Sequence, residues 1–194
     1  LMEVRARNVI PTLGIEQEFF LIDQNLAAKR PDLQVCNRTL FGAAALKDQQ
    51  FSDLYYAPMD ERVHRFMEDV DRLAQQTGII LKTRHSEVAP QQFEFSAQFS
   101  RSIQASSQNS WLMHILKSVA RKHGFVAVLH EKPFKGINGS GKHCNWSLAT
   151  DMGLNLLDPN NDDGKGTFPM LLSAILQAVA TNNGLLRAAI GSYS

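Results

Sequence analysis

The chain has 194 residues, 44% hydrophobic and 20% charged, proportions that fit one globular domain or a large piece of one. Its 20 basic and 19 acidic residues leave a formal net charge of +1, so no whole-chain field points to nucleic acid or to a membrane surface. No apolar run is long enough to span a bilayer, and Cys36 and Cys144 match neither a zinc nor a disulfide spacing, so the expectation is a reducing, cytoplasmic setting.

Residues 13–22 (L-G-I-E-Q-E-F-F-L-I) read as a strand rich in β-branched and aromatic residues. Period two puts Glu16 and Glu18 on one face and Ile15 and Gln17 on the other. Two like charges so close repel unless they are solvated or neutralised, so a solvated face and a cation site are both open readings. Residues 23–58 carry no sustained periodicity and include Pro31, Gly42 and Pro58, so loops and short irregular strands are expected, with Asp53 to Tyr56 as a candidate pocket wall. From about Asp60 to Thr77, Val63, Phe66, Met67, Val70, Leu73 and Ala74 recur at helical spacing, and Gly78 is the expected stop.

A short apolar strand at Gly78 to Thr83 leads into H-S-E-V-A-P-Q-Q-F-E-F. Glu87 and Glu94 are seven apart, which places them on opposite faces of a straight strand. Pro90 breaks or bulges the strand, and a bulge there restores a common face, with Phe93 and Phe95 turned away; an edge hairpin with solvated acids is the alternative. A second helix is expected over about Gln104 to His123, buried through Leu112, Ile115, Leu116, Val119 and Ala120 and stopped at Gly124. Phe125 to Leu129 follows as a strand.

The stretch N-G-S-G-K-H-C-N-W-S (138–147) runs from a Gly-rich turn into a period-two strand. Gly136, Gly139 and Gly141 allow positive φ and close approach of backbone to a ligand. His143, Asn145 and Ser147 then share one face, with Cys144, Trp146 and Leu148 on the other. It is neither a Walker A loop nor a dinucleotide fingerprint, since His143 follows Lys142 and a strand follows the loop. By pattern alone an amphipathic hairpin strand remains an equal reading. Residues 151–166 read as a polar surface loop whose four acids lack calcium-loop spacing. A third helix opens with Thr167 as N-cap and Pro169 in its first turn. It is expected to be buried through Leu171, Leu172, Ile175, Leu176 and Val179, with Gly184 ending or interrupting it.

Four strand carboxylates and one strand histidine beside a Gly-rich loop suit hard divalent cations better than zinc, and two such ions would make a phosphoryl-transfer site. The segments G-I-E-Q-E-F-F-L-I-D (14–23), R-H-S-E-V-A-P-Q-Q-F-E (84–94) and H-E-K-P-F-K-G-I-N-G-S-G-K-H-C-N-W-S-L (130–148) resemble a glutamine synthetase. With R-P-D-L, R-T-L-F-G and K-H-x-N-W-S-L-A-T-D, the resemblance is to the long type III class found in bacteria.

The resemblance implies an α+β fold, a curved and mostly antiparallel sheet backed by helices, and ATP-dependent joining of glutamate and ammonia through a γ-glutamyl phosphate. It implies that Glu18, Glu87 and Glu94 hold one Mg²⁺ or Mn²⁺ ion, and that Glu16 and His143 hold the ion bridging the ATP phosphates. Asn138 and Gly139 match glutamate-binding positions, and Asn145 and Ser147 match positions near the nucleotide. Tyr55 matches an ammonium-pocket tyrosine, and Glu87 is expected to help deprotonate ammonium. Implied partners are glutamate, ammonium, ATP and further copies of the chain in a homo-oligomer.

The sequence departs from the family at Cys144, where type III enzymes tend to have Asn, and at S-A-Q-F after Phe95, where they are more apolar. The family's N-terminal β-grasp portion and the later part of its catalytic domain, with phosphate-clamping arginines and a further metal-ligand glutamate, have no counterpart in residues 1–194. The expectation is therefore a partial catalytic domain, inactive as an isolated chain. A non-catalytic scaffold or oligomerisation remnant is the alternative. A different metal-dependent phosphotransferase, such as a carboxylate–amine ligase or guanidino kinase, is a third reading that the N-G-S-G-K-H and E-V-A-P-Q-Q-F-E runs disfavour.

Overall fold

The computed structural model describes residues 6–44, 49–161 and 166–190. One long strand, β1 (Val9–Asp23), is the axis of a six-stranded open sheet in which every pairing is antiparallel. The expected strand at 13–22 is thus extended at both ends. Leu13 is in register with Ser100 on one side and Trp146 on the other, and Phe20 likewise with Gln92 and Val128. One side of β1 is therefore taken by β3 (Gln92–Ala97) and β4 (Ser100–Arg101), the other by β6 (Lys142–Thr150) and β5 (Phe125–Val128). The hairpin partner β2 (Leu81–Ser86) lies outside β3.

Alternation along β1 separates two chemistries. Ile15, Gln17, Phe19 and Leu21 face two helices, α4 (Glu61–Gln76) and α5 (Ser102–Lys122), whereas Glu16, Glu18 and Phe20 face the other way. The apolar stripes predicted for both helices are buried, and Phe19 stacks on Phe95 at 5.9 Å and meets Phe66 edge-on at 6.0 Å. Each such ring pair adds about 0.5–1.5 kcal/mol beyond area burial. The Asp60 carboxylate caps α4 by accepting from the Arg62 amide at 2.9 Å. Gly78 and Gly124 leave the two helices at φ +81° and +68°, conformations that a Cβ would strain.

Arg62 ties the ends of these elements together. Its Nε donates to the His123 carbonyl and Nη2 to that of Gly124, Nη1 pairs with Asp23, and the guanidinium lies 3.9 Å over the Phe125 ring.

Four local expectations are corrected. The described residues of 23–58 combine the expected loops with short helices instead of irregular strands: α1 (Gln24–Ala27), α2 (Pro31–Cys36) and α3 (Asp53–Tyr56). Asp23 caps the first and Pro31 opens the second, but single turns are too short for periodicity to reveal. Residues 81–97 form a hairpin, β2 with β3, the alternative to one bulged strand, and Gln91 takes the left-handed turn position at φ +58°. Of the glycines in the Gly-rich turn, only Gly136 has positive φ, at +87°. The third predicted helix, α6 (Thr167–Thr181), is capped by Gly166 instead of Thr167 and ends at Asn182 before α7 (Asn183–Ile190). Its apolar stripe is not buried: Leu176 is 62% exposed, and Leu172 and Val179 are also exposed. Periodicity records a face that wants cover, without recording what supplies it.

Of the predicted polar loop, residues 151–161 are turns and a short 3₁₀ segment, while Asp162 and Asp163 lie outside the described residues. No helix among the described residues is long and apolar enough to cross a membrane.

Candidate active site

Register alone assembles the polar face of the sheet. Glu18 stands directly opposite Glu94 across β1 and β3, His85 is opposite Glu94 across β2 and β3, and Glu16 is opposite His143 across β1 and β6. Glu87, one residue past β2, is drawn to Glu94 by the hairpin turn, where its amide donates to the Gln92 carbonyl at 2.8 Å. The common face of Glu87 and Glu94 therefore exists, built by a chain reversal.

Two triads of donor atoms result, Glu16–Glu94–His143 and His85–Glu87–Glu94, each with its ligand atoms within 4.8 Å of one another. Glu94 belongs to both. His85 Nε2 lies 3.2 Å from Glu87 Oε1 and 3.5 Å from Glu94 Oε1, and His143 Nδ1 lies 3.2 Å from Glu16 Oε2 and 3.7 Å from Glu18 Oε1.

Glu18 and Glu94 are buried, and their carboxyl groups titrate above the ordinary range. Desolvation is the main cause for both. Neighbouring carboxylates reinforce it, Glu87 and Glu16 for Glu18, Glu16 and Glu18 for Glu94, while the Gly141 amide and Ser96 hydroxyl act against it. Two buried acids facing each other, with the His85 and His143 imidazoles beside them, form a donor set fitted to a divalent ion with oxygen preference.

The Gly-rich segment closes the site from the β6 side. Gly141 donates its amide to Glu18 Oε2 at 2.7 Å, and its carbonyl accepts from the Glu18 amide at 3.2 Å. A Cβ on Gly139 would overlap the Glu131 carbonyl oxygen, so this glycine is demanded by backbone against backbone. Glu18, Glu87, Gln92, Asn138, Gly139 and His143 line a cavity of about 490 Å³. A larger cleft of about 870 Å³, walled by Leu21, Ile22, Phe41 and Phe134, contains none of the donors and is a separate feature.

The remaining expected residues are distributed unevenly. Asn145 reaches the site, its Nδ2 donating to Glu16 Oε1 at 2.8 Å, whereas Ser147 turns to Asn155, past the end of β6. Asn138 is held by Gln49 through a reciprocal pair, at 2.9 and 3.0 Å. Tyr55 meets His85 edge-on at 5.2 Å, and burial, with Glu87 and Glu94 next, pushes its hydroxyl above its ordinary value.

Two site residues were not singled out from sequence, His85 and Gln92. Both stand two residues before a recognised acid, in H-S-E and Q-F-E, and period two was the signal that places them on its face.

The family model described as the glutamine synthetase catalytic domain matches residues 1–194. The chain belongs to the glutamine synthetase family. It is 47% identical over 191 residues to a type-3 glutamine synthetase of Dictyostelium discoideum, covering 98% of this chain and 26% of that protein. It is 45% identical over 193 residues to a glutamine synthetase of Bacteroides fragilis, covering 99% and 26%. The chain thus spans about a quarter of the length of these glutamine synthetases. The fold agrees: a cryo-EM structure of Plasmodium falciparum glutamine synthetase superposes with a TM-score of 0.60 over 78% of this chain and 32% of that one, at 19% identity.

Proposed function

We propose that this chain supplies the cation- and glutamate-binding face of a glutamate–ammonia ligase, which forms glutamine with ATP through a γ-glutamyl phosphate. The observation that carries the reading is Glu94, a buried carboxylate common to two donor triads and opposite a second buried acid.

Glu18, Glu87 and Glu94, with His85 beside them, would hold one Mg²⁺ or Mn²⁺, and Glu16 and His143 a second. Such ions, when bound, neutralise phosphate oxygens and the substrate carboxylate. Asn138 and Gly139 on the cavity wall orient glutamate, and Asn145 and Ser147 mark the side of β6 assigned to the nucleotide. The Glu87 carboxylate takes the proton that ammonium must lose before attack, in a pocket whose negative potential favours NH₄⁺ over neutral molecules. Tyr55, edge-on to His85, would line the ammonium side of that pocket.

No arginine lines the cavity among the described residues, so turnover by the isolated chain is proposed to be negligible. In the complete protein, assembly with further copies of the chain is the expected setting.

The test is calorimetric titration of the chain with Mn²⁺, against a Glu18→Ala, Glu94→Ala variant. Binding near one ion per chain that vanishes in the variant supports the reading. A folded chain that binds nothing favours a non-catalytic scaffold instead.

A further inference from the structure

Gln92 has no role in the reaction outlined above, yet it is the most fully enclosed polar side chain on the acidic face, 1% exposed. Its Nε2 donates to Glu18 Oε2 at 3.1 Å and to the Gly139 carbonyl at 2.8 Å, with Ser140 Oγ at 3.4 Å, while its Oε1 accepts from the Ala89 amide at 3.3 Å. That pattern fixes the amide orientation, because the flipped form would point an oxygen at a carboxylate and a carbonyl.

We infer that Gln92 is a positioning residue that couples the cation site to the substrate loop. The amide and the Gly141 N–H together occupy Glu18 Oε2. They leave Oε1, the oxygen nearer His143, as the one turned to a cation. The other Nε2 proton holds the Gly139 carbonyl, next to Asn138 on the cavity wall. One buried amide thus sets the angle of an acid on β1 and the height of a loop about fifty residues farther along the chain than itself. Displacement of either end strains the other, so cation and loop ligand bind with linked affinities.

The inference depends on the cation reading only in its metal arm, so two arms are needed. In the metal-free chain, Gln92→Met removes both donors at similar volume, and Val128→Ala serves as a control that opens a cavity in the apolar cluster of the same face, which includes Ala89, while removing none of the network's hydrogen-bonding groups. Hydrogen exchange at the Ser140 and Gly141 amides is expected to quicken at least ~10-fold in Gln92→Met and to stay unchanged in Val128→Ala. Equal exchange in wild type and Gln92→Met overturns the inference. In the metal arm, Mn²⁺ affinity is expected to fall about 10–100-fold in Gln92→Met, as for other outer-sphere partners, and to hold in the control.

Should Gln92→Met not fold, the wild-type chain still decides. Gln92 Nε2 protons that are slow to exchange support the inference, and rapidly exchanging ones refute it. A wild type that binds no Mn²⁺ sinks the cation reading while leaving the exchange arm intact.

Discussion

Glu94→Gln separates stability from binding at this site. The substitution keeps shape and leaves an amide oxygen for the Ser96 hydroxyl, which donates to Glu94 at 2.9 Å, but removes one negative charge from directly opposite Glu18. Charged cross-strand pairs are worth roughly 0.2–1 kcal/mol, and burial of both acids pushes this repulsion to the upper end. The metal-free variant should therefore be about 1 kcal/mol more stable than wild type, a rise in melting temperature of about 2–4 °C for a chain of this size. With Mn²⁺ at ~100-fold over its dissociation constant, wild type should gain about 2.7 kcal/mol, or roughly 5–10 °C. The variant lacks the donor common to both triads and should gain little, so the order of stability inverts. Differential scanning calorimetry with and without Mn²⁺ reads this directly. A metal-free variant that melts below wild type, or an equal gain by both proteins, would refute the reasoning.

Other outcomes follow from the same contacts. Because Glu18 and Glu94 have raised pKa values when folded, the stability they contribute is fully present below the ordinary value of 4.5 and is lost as pH rises through the folded values. Asp23, Asp32 and Asp69, held low chiefly by hydrogen bonds from Arg62, Arg30 and Arg72, act oppositely, their contribution being lost as pH falls below 3.8 through their folded values. Metal-free melting temperature should thus peak at mildly acidic pH, and a Glu18→Gln, Glu94→Gln variant should flatten the alkaline limb. Arg62→Met should cost about 2 kcal/mol in urea unfolding, since two carbonyl caps and the Phe125 contact go together, and Arg62→Lys should not restore it. Gly139→Ala should abolish tight Mn²⁺ binding while circular dichroism stays native, because the clash with Glu131 is local to the loop. A Leu172→Glu, Leu176→Glu variant should sediment as a smaller species than wild type without loss of melting temperature, since both side chains are exposed.

The polar face was readable because period two is a strong signal on a long strand: Glu16 and Glu18 announced their side of β1, and His143 and Asn145 theirs on β6. The hairpin was legible only as the alternative to a bulged strand. Glu87 and Glu94 meet because the chain reverses at Gln91, and a left-handed glutamine leaves no compositional trace of the kind glycine does. Gln92 and His85 escaped notice because an amide or imidazole next to an acid looks like ordinary strand polarity until its partners across the sheet are known. The exposed stripe of α6 shows the limit from the other direction: the same periodicity describes a helix buried by its own chain and one left bare.

Strand β1 has a consequence for the order of events in folding. The contacts that complete the polar face close across 74 residues from Glu18 to Gln92, 123 from Glu18 to Gly141 and 127 from Glu16 to His143. Pairings so distant along the chain carry a large loop-closure entropy and tend to form late, after the local α4–β2–β3 and α5–β5 units. A half-folded chain then holds its acids apart and has nothing to offer a cation. A divalent ion would act on a finished sheet, slowing its opening while leaving the rate of its assembly untouched.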